Sequence, residues 1–191
     1  MEKMPEWLNA TLASDASEGE GVLPHDILPL RPDSLMVGPA YVALMSQDDN
    51  LSVREVLANL PAPGTVLVVA GASTSRTATI GGLMALEMQN GGIAGLVTDG
   101  LVRDSREIRE MGFAVWCRGV TPTAPKKNGP AIVGGTVSIG GKVIRDGDLV
   151  IADDDGVVIW PQERIPELLA RAEARLKQDN ERLARLRMQK P

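Results

Sequence analysis

Arg103 and Asp104 stand side by side just past an apolar run, and twenty residues separate them from the glycine pair Gly81–Gly82. A guanidinium can clamp a carboxylate through two parallel N–H···O bonds, and an aspartate is a hard oxygen ligand for a divalent cation. The glycines open an apolar stretch, GGLMALEMQN, that reads as a helix. The first amides of a helix have no partner inside it and form a ready cradle for an anion. Gly81, Gly82, Leu83 and Met84, together with Arg103, are therefore candidate substrate-binding residues. Asp104 is the candidate metal ligand. The molecule such a set would grip is a small 2-oxo acid, its carboxylate on the amides and arginine and its keto oxygen on a metal. Plainer readings stand beside this one. Asp104 in DSREIRE suits the N-cap of a short charged helix, and a glycine pair at a helix start permits close packing. Spacing alone does not choose between them.

The elements that must position these residues are legible as alternating strands and helices. TVLVVAG, IAGLVTDG and FAVWCRG are short, continuous apolar runs of the kind expected when both faces of a strand are covered. Between them lie a helix over about 81 to 91 and the charged segment DSREIREMG, closed by Gly112. That alternation predicts parallel crossovers, whose ligands sit beyond the carboxyl ends of the strands. Upstream, SLMVGPAYVALM reads as a strand interrupted at Gly38–Pro39, a bulge or an edge. DDNLSVREVLANLPAPG reads as a short helix with Asp49 and Asn50 as caps. Downstream, Gly-Gly, Asp-Gly and Asp-Asp-Gly divide the β-rich segment 131–161 into hairpins. From Gln162 onward Ile165, Leu168, Leu169, Ala172 and Leu176 follow helical spacing, and the sequence then turns polar. The expected organisation is one α/β domain: an N-terminal helix and loop (1–34) packed on the core, the core (35–161) and a C-terminal helix (162–191) whose far end, about 178 to 191, is either solvated or set against a partner.

Other chemically capable residues read as structural. His25, the only histidine, lies in the proline-flanked loop LPHDILPL. Cys117 sits in an apolar run and reads as buried and inert. Asp153, Asp154 and Asp155 precede Gly156 between two β runs and read as turn chemistry rather than a metal cluster. Glu87, one turn past Leu83, faces either the site or solvent, and Ser75 and Arg76 stand in a loop that could reshape the pocket.

Composition excludes some function classes. A net charge of −5 with one Phe and one Tyr gives neither a basic stripe nor stacking aromatics, so direct binding to nucleic acid is not expected. No window reaches about 18 uninterrupted apolar residues, so a membrane span is not expected either. The N-terminal stretch lacks the pattern of a secretory signal, and a lone cysteine fits a reducing compartment, which together predict a cytoplasmic protein.

Residues 35–161 also resemble a known family. The stretches VGPAYV, DDNLSVREVL, PGTVLVV, GGLMALEMQNGGIAGLVTDGLVRDS, GFAVWCRGVTP and DGDLVIADDDGVVIWP resemble, in order and spacing, the family of the ribonuclease E regulator RraA and the 4-hydroxy-4-methyl-2-oxoglutarate aldolases. The resemblance implies a swivelling β/β/α fold, built as a homotrimer or dimer of trimers with sites at subunit boundaries. It implies class II aldolase chemistry with Mg²⁺ or Mn²⁺, in which Arg103 binds the pyruvoyl carboxylate and polarises the enolate. Asp104 would ligate the metal, and the backbone of Gly81 to Met84 would receive the carboxylate. Cleavage of 4-hydroxy-4-methyl-2-oxoglutarate and decarboxylation of oxaloacetate pass through the same pyruvate enolate, so one site can serve both. Two alternatives follow from the same resemblance: a non-catalytic regulator that binds and inhibits a ribonuclease, and a carboxylate-binding pseudoenzyme. The chain also departs from the pattern. Catalytic members carry an acidic residue at the position of Gly82, whereas regulator-type members lack an intact Arg-Asp pair. An acid restored at Gly82 is expected to raise activity.

Overall fold

A computed structural model describes residues 4–188 of the chain. The elements, in order, are α1 (Ala10–Ala16), β1 (Leu28–Pro29), β2 (Met36–Leu44), α2 (Leu51–Ala58), β3 (Val66–Ala70), α3 (Gly82–Asn90), β4 (Gly95–Thr98), β5 (Leu101–Val102) and α4 (Ser105–Met111). They continue with β6 (Ala114–Cys117), β7 (Gly119–Val120), β8 (Ile132–Val133), β9 (Thr136–Ile139), β10 (Lys142–Arg145), β11 (Leu149–Asp153), β12 (Gly156–Trp160) and α5 (Ile165–Met188). The sequence-expected helix over 162–191 begins with a 3₁₀ turn at Gln162–Arg164, and its last three residues lie outside the described ones.

Strands β2, β3, β4 and β6 pair in parallel and form the centre of the sheet. β11 and β12 extend one side and β1 the other, all antiparallel. Both faces are covered, which is why the central strands carry no polar alternation. Val66, Val68, Val97 and Trp116 face a layer containing Val137, Ile139 and Ile144 of the β9–β10 hairpin. Leu67, Val69 and Leu96 face the opposite layer, with Val53 and Val56 of α2, Ala85 and Met88 of α3 and Ile108 of α4. Hairpin, sheet and helices make a β/β/α sandwich. A third cluster joins α1, β11, β12 and the first half of α5 through Leu12, Ile151, Trp160, Leu168 and Ala172.

One expectation changes. β2 is neither interrupted nor at an edge: it runs unbroken through Gly38–Pro39. Met36–Pro39 pair with β11 and Ala40–Leu44 with β3, so proline's missing N–H falls where the strand changes partners. Gly38 is needed there, since a Cβ would lie 2.6 Å from the Gly64 carbonyl oxygen. The C-terminal helix is part of the fold over its first half and solvent-exposed beyond about residue 180.

Candidate active site

The extended segment before α3 runs beside β5. Thr79 N–H donates to Leu101 O and Arg103 N–H to Ile80 O, at 2.7 and 3.0 Å. This pairing brings Gly81–Gly82 up to Arg103–Asp104, beyond the carboxyl ends of β3 and β4, as parallel topology demands. Five of the six residues expected at the site, Gly81, Leu83, Met84, Arg103 and Asp104, line one pocket of about 170 Å³. Gly82 lies buried immediately behind its rim.

The glycines are required by what lies against them. A Cβ at Gly81 would fall 2.6 Å from Asp104 Oδ2 and 2.8 Å from Arg103 Nε. A Cβ at Gly82 would fall 2.5 Å from Glu107 Oε2 and 3.4 Å from Asp104 Cβ. An acid introduced at Gly82 would thus enter space that the Glu107 carboxylate already fills.

Asp104 precedes α4 in the N-cap position, yet its side chain makes no capping bond. Its Oδ2 instead accepts the Gly82 N–H at 3.0 Å, across the mouth of α3, and stands 3.6 Å from Arg103 Nε. The N-cap reading therefore fails for the side chain. The backbone of Asp104 is left-handed, with φ 56° and ψ 36°. A non-glycine residue held there costs on the order of 1–3 kcal/mol. The Arg103–Asp104 pair is about 40% exposed, and such pairs contribute roughly 0–1 kcal/mol. Stability alone does not account for the arrangement; a carboxylate held at a helix mouth does.

Of the first-turn amides, Gly82 donates to Asp104, so one member of the expected cradle is already taken. Those of Leu83 and Met84 have no acceptor among the described residues. Both residues line the pocket together with Arg103.

Three further pocket residues escaped sequence reasoning. Asn50 starts α2 but makes no cap bond. Its Nδ2 donates to Thr79 O at 2.8 Å, while its buried Oδ1 has no donor among the described residues. A buried acceptor without a partner costs about 1–3 kcal/mol, so a donor from the pocket's occupant or its water belongs there. Arg54, one turn along α2, and Lys127, in the loop after β7, bring two more cations to the lining, and Glu87 completes the rim. Lys127 had no local signal, because its place depends on a loop brought over from 120 to 130.

Asp49 holds that loop. Its Oδ2 accepts the N–H groups of Asn128 and Gly129 at 2.7 and 2.9 Å, and its Oδ1 that of Leu51 at 2.9 Å. Burial opposes its ionisation, but these three donors and the Lys126 ammonium outweigh burial and hold its carboxyl below the usual range. Asp49 therefore caps α2 locally, as expected, and staples the Lys127 loop as well.

The remaining candidates stand apart. Ser75 and Arg76 are absent from the lining; Ser75 Oγ accepts the Asp48 N–H and Arg76 N–H donates to Asp48 Oδ1. His25 is exposed in its loop. Cys117 is buried, and burial raises its thiol pKa. Asp153 and Asp155 tie the β11–β12 turn to α1 by accepting Ala10 N–H and the Thr11 hydroxyl. Asp99 accepts the amides of Gly71 and Ala72, and its carboxyl is raised by burial. No helix among the described residues is long and apolar enough to cross a membrane.

Residues 10–159 match the RraA-like family, described as Aldolase/RraA. A Halalkalibacterium halodurans protein provisionally named a 4-hydroxy-4-methyl-2-oxoglutarate aldolase is 34% identical over 172 residues, 90% of this chain and 81% of the relative. A Thermus thermophilus 4-hydroxy-4-methyl-2-oxoglutarate aldolase is 36% identical over 115 residues, 60% of this chain and 70% of that protein. Among solved structures, Streptomyces coelicolor RraAS2, described as an unusual member of the RNase ES inhibitor RraA family, superposes with a TM-score of 0.80 at 30% identity. The match covers 94% of this chain and 93% of that one.

Proposed function

Because the chain belongs to the RraA-like family, we propose that it is a metal-dependent carbon–carbon lyase acting on a small 2-oxo acid. Its reactions are cleavage of 4-hydroxy-4-methyl-2-oxoglutarate, decarboxylation of oxaloacetate, or both, through a pyruvate enolate. One observation carries this reading: Arg103 and Asp104 converge with the open amides of Leu83 and Met84 in one pocket. The substrate's 1-carboxylate sits on those amides, and Arg103 meets the charge that grows on the 2-oxo oxygen. Fixed donors aimed at developing charge are worth most where water is scarce. Arg54 and Lys127 take the distal carboxylate, which selects a dianion over a monocarboxylate.

The donor set fits a hard divalent cation such as Mg²⁺ or Mn²⁺. Asp104 Oδ1 has no partner among the described residues, and Asn50 Oδ1 lacks a donor that a coordinated water would bring. No group of three or more His, Cys, Asp or Glu converges among the described residues, so substrate and water must complete the shell. Mg²⁺ is commonly held that way. When bound, the cation supplies electrophilic stabilisation of the 2-oxo group. An assembly of three copies, or two such trimers, is supported by Leu83, 78% exposed at the pocket rim, and Val120, 57% exposed beside the Arg103–Asp104 pair. Apolar side chains this open beside a site favour cover by a neighbouring subunit. A cytoplasmic location remains in keeping with the lone buried thiol.

The likeness to RraAS2 favours a second reading, a regulator that binds a ribonuclease without turnover. A coupled assay of pyruvate release from both substrates, with and without Mg²⁺, separates the two. Metal-stimulated release is expected; no release together with ribonuclease inhibition would establish the regulator instead.

A further inference from the structure

Retro-aldol cleavage needs a group that takes the hydroxyl proton, and no histidine, tyrosine or thiol lines the pocket. Arg54, Arg103 and Lys127 are cations, which leaves the two carboxylates in the lining, Asp104 and Glu87. Asp104 Oδ2 accepts the Gly82 amide and its Oδ1 is the metal donor, so Asp104 serves the 2-oxo end. Glu87 stands at the other end. Helices α2 and α3 run side by side in one direction: Asn50 Nδ2 donates to Met84 Sδ at 3.5 Å where they begin, and Leu60 lies against Gly91 where they finish. Arg54 is one turn past Asn50 and Glu87 one turn past Leu83, so the two stand at about the same height, a turn beyond the mouth. The distal carboxylate of the substrate lies there, on Arg54 and Lys127, and C4 carries that carboxylate and the reacting hydroxyl together. The two cations offset the repulsion between this carboxylate and Glu87. Among the described residues no ion pair or hydrogen bond engages the Glu87 side chain, whereas Glu110 and Glu167 are each paired with an arginine on their own helix. An exposed glutamate on a helix is ordinarily a solvated one; Glu87 is instead the uncommitted carboxylate of the pocket, at the end where the proton must leave.

We infer that Glu87 is the proton-carrying residue for carbon–carbon cleavage at this site, its carboxylate meeting the 4-hydroxyl at the Arg54–Lys127 end of the pocket, directly or through one water. This rests on the lyase reading above. In the step, the 4-hydroxyl proton passes to the Glu87 carboxylate and the C4–O bond becomes a carbonyl. The C3–C4 bond breaks, and its electron pair moves onto the 2-oxo group as an enolate. The pyruvate formed from C4 leaves, and the proton returns from Glu87 to C3 of the enolate, the carbon that adjoined C4. One 4-hydroxy-4-methyl-2-oxoglutarate thus yields two pyruvates with no net proton change. Oxaloacetate has no hydroxyl proton to lose; its decarboxylation makes the same enolate without this transfer, and water supplies the proton to C3.

The test is the ratio of 4-hydroxy-4-methyl-2-oxoglutarate cleavage to oxaloacetate decarboxylation, measured with Mg²⁺ for the wild type, Glu87→Gln and Glu87→Asp. Glu107→Gln serves as the control, since Glu107 lies near Gly82 but outside the pocket lining. Oxalate affinity is followed by calorimetry on the same proteins, to report loss of the pocket itself. Glu87→Gln is expected to lower the ratio about 10²-fold or more, the low end of general acid–base assistance, with oxalate binding retained. Glu87→Asp keeps a carboxylate, one methylene shorter, and should hold more of the ratio than Glu87→Gln. A purely structural role would lower both activities together and leave the ratio where it was. An unchanged ratio in Glu87→Gln therefore overturns the inference. So does an equal fall in Glu87→Asp, a fall matched by lost oxalate binding, or a fall caused by Glu107→Gln instead. Decarboxylation by the wild type without cleavage overturns the inference alone; if the wild type turns over neither substrate, the lyase reading itself fails and the inference falls with it.

Discussion

Replacing Asp49 by alanine should loosen the pocket from a distance. The substitution leaves the amides of Asn128, Gly129 and Leu51 without their acceptor. Hydrogen bonds to a charged partner contribute about 1.5–3 kcal/mol each, but they are not additive, and the freed loop can reach water. A loss of about 3 kcal/mol is therefore expected. For a chain of this size each kcal/mol moves Tm by about 2–4 °C, so the melting point should fall by about 6–12 °C. The pH dependence follows from the direction of the Asp49 shift. The folded state holds its carboxyl below the ordinary value, so ionisation favours folding. That contribution is fully present above the unfolded pKa of about 3.9 and disappears as pH falls through the lower folded value. The assay is thermal unfolding of both proteins at one concentration, at neutral pH and in steps below pH 4. The difference between them should be large at neutral pH and shrink in acid. Lys127 shares the stapled loop, so the KM for oxaloacetate should rise more than kcat falls. A Tm change near zero, or a difference undiminished in acid, would refute the reasoning.

Gly81→Ala should disable the site in a folded protein, because the added methyl meets Asp104 Oδ2 and Arg103 Nε; circular dichroism and pyruvate release check the two halves of the claim. Asp104→Gly should remove Mg²⁺-stimulated turnover while holding or raising Tm, since glycine adopts the left-handed backbone freely and its relief is worth on the order of 1 kcal/mol. Arg54→Ala and Lys127→Ala should each raise KM for a dicarboxylic 2-oxo acid while leaving the affinity for pyruvate nearly unchanged, measured by steady-state kinetics and calorimetry.

The residues that chemistry needs were legible in the sequence to the extent that their placement is local. Three covered strands announced themselves through runs such as TVLVVAG, because a strand buried on both faces has no polar alternation to preserve. The glycine pair and the Arg103–Asp104 pair could be assigned to facing loop ends because parallel crossovers deliver loops to one edge of the sheet. What depended on distant approach was hidden. Asp104 has the residue type and position of an N-cap, and only the nearness of the Gly82 amide redirects its side chain. Asn50 likewise resembles a cap until Thr79 O takes its amide. Lys127 depends on a loop fixed from Asp49, nearly eighty residues away in sequence. Pro39 resembled a strand breaker because the exchange of partners along β2 leaves no mark in the chain itself.

The central claim is that Arg103 works against the open mouth of α3 on a bound 2-oxo acid. Its most direct test is pyruvate release by wild type and Arg103→Ala from both substrates, with Mg²⁺ and with a chelator. The account predicts Mg²⁺-dependent release by the wild type and a loss of about 10²–10³-fold in Arg103→Ala, the scale of removing one charge-stabilising donor. A correctly folded Arg103→Ala protein that releases pyruvate at the wild-type rate would contradict it.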